Sequence, residues 1–298
     1  MTTDWDAIVI GAGPAGSVVA RQLALGGQRV LLLDRKRFPR RKVCGACLNH
    51  SSVTLLEELG LGDLLRESCG PELHRFDLRA GSRCLTLPLP TGRAISRAVL
   101  DQQLVAAARR AGVTFQDGVT ATVGETRTDG RTVEWKSMTD GRVGPAVLRR
   151  AGPTDSAVTF SGVNCEGGPA LQAIWSHPTT TNAVQQTATS KVVLAADGLG
   201  HPSLCDVSEI RERVVARSRI GAGCEVAEFP AEFVPGVIHM AVGRGGYVGL
   251  VRVESGALNI AAAFYARLVR DAGGPALAAA SVLAQSGFPA IQAMAEAD

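Results

Sequence analysis

Residues 6–10, Asp-Ala-Ile-Val-Ile, form one short apolar run, and residues 29–34, Arg-Val-Leu-Leu-Leu-Asp, form a second. Between them, residues 17–27 place apolar side chains at helical spacing and end at the pair Gly26-Gly27. Short continuous apolar runs predict buried strands, and the period near four predicts a helix. The links are short, so the pattern predicts a β-α-β unit with parallel strands.

The pattern continues past this unit. Residues 51–67 read as helix interrupted by glycines, and residues 73–89 alternate and reverse at Ala80-Gly81, which predicts a hairpin. Residues 96–112 predict an amphipathic helix with Ser96 as N-cap and Gly112 as stop. Strands are predicted over 113–127 and 131–138. Residues 140–190 are rich in Gly, Pro, Thr, Ser and Asn and have little periodicity, which predicts an irregular insertion with a few short strands. Residues 191–200 return to a buried strand and a glycine turn. From 218 to 265 the chain alternates, with turns at Pro235-Gly236, Gly245-Gly246 and Ser255-Gly256, and predicts an antiparallel meander. The tail from Gly273 predicts one helix to about Gln285 and a short one after it.

Composition narrows the function. Hydrophobic residues make up 46% of the 298 and charged residues 20%, a globular balance. The net charge of +3 is too small to imply a nucleic-acid partner. The basic clusters at 35–42 and 211–219 read as solvated faces or counter-charges for an anionic cofactor. No run of 18 apolar residues predicts a membrane span, and the first residues lack the positive region of a signal peptide. The seven cysteines are odd in number and scattered, which suits reduced thiols in a cytoplasm. The five histidines show no triad or metal-ligand spacing, so no metal is expected, and no residue stands out as a catalytic acid or base.

The sharpest motif is Gly-Ala-Gly-Pro-Ala-Gly, residues 11–16, after one strand and opening a helix. Gly11 suits the tight turn, Gly13 the approach of backbone to a pyrophosphate, and Gly16 close packing of helix on strand. Pro14 and Ala15 complete the turn, whose helix N-terminus offers free N–H groups to phosphate. Asp34 ends the next strand, where an acid accepts from a ribose hydroxyl, and Arg35 follows it. A carboxylate there argues against a 2′-phosphate on the bound nucleotide. A second motif, Cys44-Gly45-Ala46-Cys47, lies in a basic run with His50 nearby. Alone it reads as a metal ligand set, a redox dithiol, packing cysteines or a cofactor contact.

Residues 6–49, together with Arg97-x-x-Leu100-Asp101-x-x-Leu104 and the apolar strand ending in Ala196-Asp197-Gly198, resemble the FAD-dependent enzymes of the p-hydroxybenzoate hydroxylase superfamily. The geranylgeranyl-reductase-like oxidoreductases and the flavin-dependent halogenases are the most similar branches. The resemblance covers 4–134 and 191–298. It implies an α/β chain: a three-layer FAD/NAD(P)-binding, Rossmann-like domain (1–75, 92–134 and 190–215) with an antiparallel-sheet substrate domain (76–91 and 216–298). It implies FAD, with NAD(P)H as electron donor although no second fingerprint holds it. Arg97 is then placed near the ribityl–pyrophosphate linkage, and Ala121, Asp197 and Gly198 near the cofactor. Cys44-Gly45 is placed beside the flavin ring, which makes zinc or a catalytic dithiol the lesser readings of that motif.

The implied reaction is reduction, or oxygenation, of a small or lipid-like organic molecule, with no expectation for oligomeric state. The halogenase signature Trp-x-Trp-x-Ile-Pro is absent, and of the reductases' Tyr-x-Trp-x-Phe-Pro only Tyr247 is kept, as a candidate substrate-facing residue. The family's third flavin motif, Gly-Asp-Ala, does not occur before Asp298. The resemblance therefore also carries the expectation of a truncated flavoprotein that binds FAD weakly. A plain NAD-dependent dehydrogenase is disfavoured by the Ala-Asp-Gly motif.

Overall fold

The structure, a computed structural model, describes residues 4–128, 130–137, 185–210, 215 and 218–291. In chain order the elements are β1 (Trp5–Ile10), α1 (Pro14–Leu25), β2 (Val30–Asp34), β3 (Cys47–Leu48), α2 (His50–Glu58), α3 (Gly62–Ser68), β4 (Glu72–Ala80), β5 (Arg83–Ala94), α4 (Arg97–Arg110), β6 (Thr114–Asp117), β7 (Val119–Arg127), β8 (Gly130–Ser137), β9 (Gln185–Ala195), β10 (Arg219–Val226), β11 (Val237–Gly243), β12 (Gly246–Arg252), β13 (Leu258–Tyr265), α5 (Ala266–Ala272) and α6 (Pro275–Gln285). They divide into two compact units, with boundaries near 40, 99 and 213.

The first unit holds a six-stranded sheet in the order β6-β2-β1-β9-β8-β7. β1 pairs in parallel with β2 and β9, and β2 with β6, so the expected β-α-β unit is present. Alternate residues face opposite ways. Ala7, Val9, Val30 and Leu32 pack with Ala20 of α1 and with Val105 and Ala108 of α4. Ile8, Ile10, Leu31 and Leu33 pack instead with Val119, Ala121 and Val123 of β7 and Val133 and Trp135 of β8. Helices, parallel sheet and antiparallel strands make three layers. A strand buried on both faces cannot alternate apolar with polar, which is why β1 and β2 read as continuous apolar runs.

β9 is shared between two layers. Gln185 to Ser190 pair antiparallel with β8, and Ser190 to Ala195 pair in parallel with β1. Ser190, fully buried at the change of partner, donates its hydroxyl to the Val192 carbonyl at 2.7 Å. β9 also begins inside the segment expected to be irregular. The rest of that segment, like the expected short C-terminal helix from 292 on, lies outside the described residues.

The second unit is a seven-stranded sheet in the order β10-β13-β12-β11-β4-β5-β3. One face carries a core in which Ala222, Ala241, Val248, Leu250, Ile260 and Phe264 meet Ala278, Ala279, Val282 and Leu283 of α6. The predicted hairpin β4-β5 and the meander β11-β12-β13 are both there. Two features differ from the expected order: β10 pairs with β13 rather than β11, and β11 pairs with β4 in parallel. The link between β10 and β11 buries Phe233 in the core, which takes the chain across to the far side of β12. α5 was not anticipated; it ends at Gly273, whose φ of +85° closes the helix before Gly274 and Pro275 start α6. Residues 41–75 and 92–99 group with this second unit, whereas the sequence reading gave them to the first. The cause is pairing: β3 and β4 both pair with β5, and β4 with β11.

Candidate functional site

In the first unit the site is built from main chain. Gly11 donates its N–H to the Leu33 carbonyl at 2.7 Å and has φ +103°, a region that excludes most side chains. A Cβ on Gly11 would collide with the backbone of Ala196 and Asp197, and one on Gly16 would collide with the Gly11 carbonyl. The ends of β1 and β9 and the first turn of α1 thus meet at a distance only glycine permits. Gly13 takes the N-cap position with extended backbone and no side-chain cap, and Pro14 follows as a helix starter. Ala15 is exposed, so the first amides of α1 stay available to an anion.

Asp34 is buried at the end of β2, and its carboxylate is held on three sides. The Ala12 N–H donates to Oδ2 at 2.8 Å, the Lys36 N–H to Oδ1 at 2.8 Å, and Arg40 approaches Oδ2 at 3.4 Å. Arg35 is exposed. Asp197 accepts from the Ser203 N–H at 2.8 Å, with His201 Nδ1 at 3.8 Å, and its buried Oδ1 has no hydrogen-bond partner among the described residues. Gly198, at φ +89°, turns the chain after it. Ala121 sits inside the apolar cluster between β7 and the parallel sheet. These features fit a nucleotide diphosphate: a cradle that any Cβ would fill, open amides for phosphate, a fixed carboxylate for a ribose and an unpaired acceptor for a further hydroxyl.

In the second unit the expected residues lie on different elements. The Cys44 carbonyl accepts from Asn259 Nδ2 at 3.0 Å, and the Ala46 carbonyl accepts from the Ile95 N–H at 2.9 Å. Gly45 between them is exposed, with nothing within 4 Å of the place a Cβ would take. Cys47 donates its thiol to the Gly45 carbonyl at 3.0 Å, and burial, helped by Cys44, pushes that thiol up to about 12. Cys44 and Cys47 stand as free thiols. Arg97 is the first residue of α4. Ser96 caps that helix, accepting from the Val99 N–H, and is itself gripped by Glu254, which takes the Ser96 N–H at 2.8 Å and its hydroxyl at 2.6 Å. Tyr247 is half-buried on β12, with the Arg219 guanidinium 5.3 Å from its ring and 5.2 Å from that of Tyr265. Its neighbours on the sheet face turned away from α6 include Ile238, Met240, Gly249, Ala261 and Ala263, a half-buried apolar surface.

Sequence reasoning had not singled out Arg40, Glu254 or Asn259. Each works through a partner far along the chain, and only Arg40, in the basic run, carried any local signal. No helix among the described residues is long and apolar enough to cross a membrane.

Comparison with known proteins gives a domain-family match over part of the chain and a similar fold. Residues 4–144 match the model of the FAD binding domain family. The chain is 37% identical over 103 residues to menaquinone reductase of Mycobacterium tuberculosis, covering 33% of this chain and 25% of that protein. It is 32% identical over 184 residues to digeranylgeranylglycerophospholipid reductase 1 of Methanothermobacter thermautotrophicus, covering 57% of this chain and 44% of that one. The chain thus spans less than half the length of these relatives. Its fold is similar to that of the myxobacterial chondrochloren halogenase, a variant of the FAD-dependent halogenases, with a TM-score of 0.64 at 20% identity over 90% of this chain and 54% of the other.

Proposed function

We propose, on the premise that residues 4–144 match the FAD binding domain family, that the chain is an FAD-dependent oxidoreductase that reduces a lipid-like organic substrate with electrons from NAD(P)H. The observation that carries the FAD assignment is the glycine-only junction of β1, α1 and β9 beside the fixed carboxylate of Asp34. Gly11, Gly13, Pro14, Ala15 and Gly16 take the pyrophosphate on backbone amides, and Asp34 takes the ribose hydroxyls. Arg35, Ala121, Asp197 and Gly198 complete the first unit's contribution. By the family resemblance, the backbone of Cys44-Gly45 is assigned to the flavin and Arg97 to its ribityl–phosphate chain. Bound FAD supplies a hydride-exchanging ring; the protein positions it and shields it. Burial pushes the Cys47 thiol up to about 12, which makes it a poor nucleophile at neutral pH.

The substrate class is supported by two things: the apolar sheet face around Tyr247, and the relatives' names, a menaquinone reductase and a geranylgeranyl-lipid reductase. The test is flavin titration followed by anaerobic reduction with NADPH and then NADH. The parent chain is expected to bind FAD and Gly13→Val to lose it. A Gly13→Val protein that holds flavin as well as the parent removes the assignment. A polyprenyl quinone that fails to reoxidise the reduced protein removes the substrate class.

A further inference from the structure

The basic run at 35–42 looked like a set of counter-charges for an anionic cofactor, yet its most buried member is already committed elsewhere. Arg40 Nη2 lies 3.4 Å from Asp34 Oδ2 and 3.2 Å from Asp101 Oδ2, with side-chain exposures of 10%, 8% and 0% for Arg40, Asp34 and Asp101. The loop that returns Arg40 to Asp34 is pinned on the way. The Phe38 N–H donates to Asp117 at 2.8 Å, the Phe38 ring meets Phe115 edge-on at 5.4 Å, and the Arg40 guanidinium rests 5.0 Å from the Phe38 ring. Arg40 Nε is buried and has no hydrogen-bond partner among the described residues. One guanidinium therefore joins two buried carboxylates.

We infer that Arg40, anchored by Asp101, is a positioning residue that fixes Asp34 for recognition of a ribose 2′-hydroxyl. The inference rests on the nucleotide reading above. Two carboxylates buried this close repel, and a cation between them lets both stay ionised. Fixed by Ala12, Lys36 and Arg40, Asp34 has its remaining lone pairs directed by the protein rather than free to rotate, which is what discrimination between a hydroxyl and its absence requires. Asp101 lies one turn into α4, far from the glycine turn in sequence, and reaches Asp34 through Arg40. Arg40 is thus not a phosphate ligand, and its loss acts on the ribose rather than on the diphosphate.

The test compares ADP-ribose with its analogue lacking the adenosine 2′-hydroxyl, by calorimetry on the full chain. Their affinity ratio cancels any inactive fraction. The parent is expected to favour the hydroxyl by about tenfold or more, in line with a hydrogen bond to a charged group. Arg40→Met and, separately, the isosteric Asp101→Asn are expected to lower the ratio at least threefold, and Arg40→Lys to recover part of it. In an Asp34→Asn background, Arg40→Met should change the ratio no further, because its effect passes through Asp34. A ratio unchanged in Arg40→Met and Asp101→Asn, or losses that simply multiply in the double variant, overturn the bracket alone. A parent that binds neither ligand overturns the nucleotide reading, and the bracket with it.

Discussion

The glycine turn of the first unit and the Cys44 loop of the second make an instructive pair. Both centre on glycine and main-chain atoms, yet the first is closed on every side and the second is open. Gly11 and Gly16 sit where any Cβ would strike backbone, while Gly45 has nothing within 4 Å. The turn is therefore specified by steric necessity, and the loop by two distant donors that hold its carbonyls, the Asn259 side chain and the Ile95 N–H. A site made by necessity writes a motif whose geometry can be read from sequence; a site held from afar leaves a motif whose role stays open.

The strongest way to break this contrast is at the turn. Gly16→Val is expected to cost several kcal/mol and to reduce flavin affinity at least a hundredfold, since backbone would have to move. Gly45→Ala should shift the melting temperature by no more than about 2 °C, the scale of a surface change. Thermal melts of the two, side by side, check the pair; a Gly16→Val protein as stable as Gly45→Ala would show that the close approach is not real.

A second expected effect is pH-dependent. His239 in the second unit is 4% exposed, packed edge-on against Phe233, and both its ring nitrogens lack hydrogen-bond partners among the described residues. Burial lowers its pKa from 6.5 to about 4, although Asp77 nearby acts the other way and Arg75 and Arg79 add to the lowering. The unfolded chain then binds the proton before the folded one does. Stability is whole above pH 6.5 and falls as the pH drops toward 4, by on the order of 3 kcal/mol at most. Urea melts at pH 7 and pH 4.5 check this, with His239→Leu expected to flatten the difference. An unchanged slope in that variant would place the acid sensitivity elsewhere.

Glu254→Gln sharpens the contrast from the side of the second unit. It weakens two hydrogen bonds to Ser96 at the start of α4, and about 1–3 kcal/mol of stability should go with them. A chemical melt no different from the parent would show that the helix start does not depend on this carboxylate. The smallest effect is chemical: with its pKa near 12, Cys47 should resist iodoacetamide at pH 8 in the folded protein. Mass spectrometry showing Cys47 modified as fast in the native as in the unfolded state would contradict its burial.

How much could be read beforehand follows the same division. The β-α-β unit, the hairpin, Ser96 as N-cap and the strands β11 to β13 are local patterns, and each appears where its periodicity put it. The placement of β10 beside β13, the parallel pairing of β4 with β11 and the start of β9 at Gln185 depend on partners far along the chain. So do Arg40 with Asp101 and Ser96 with Glu254. In each of these pairs both members are ordinary polar residues, and only the fold makes them a pair.

β9 has a consequence for how the protein comes into being. β1 lies between β2 and β9, and Trp5 is in register with Ser190. On a ribosome adding 5–20 residues per second, β1 and β2 are made early, but one edge of β1 waits roughly 10–40 s for its neighbour. Through that interval an apolar strand with unpaired amides and carbonyls is open to the wrong partner. Because β9 also closes the layer of β7 and β8, its arrival completes two layers in one event, the long-range step that sets the pace of high-contact-order folds. A chain arrested before residue 185 should leave that edge of β1 open to chaperones, and one extended past residue 195 should close it.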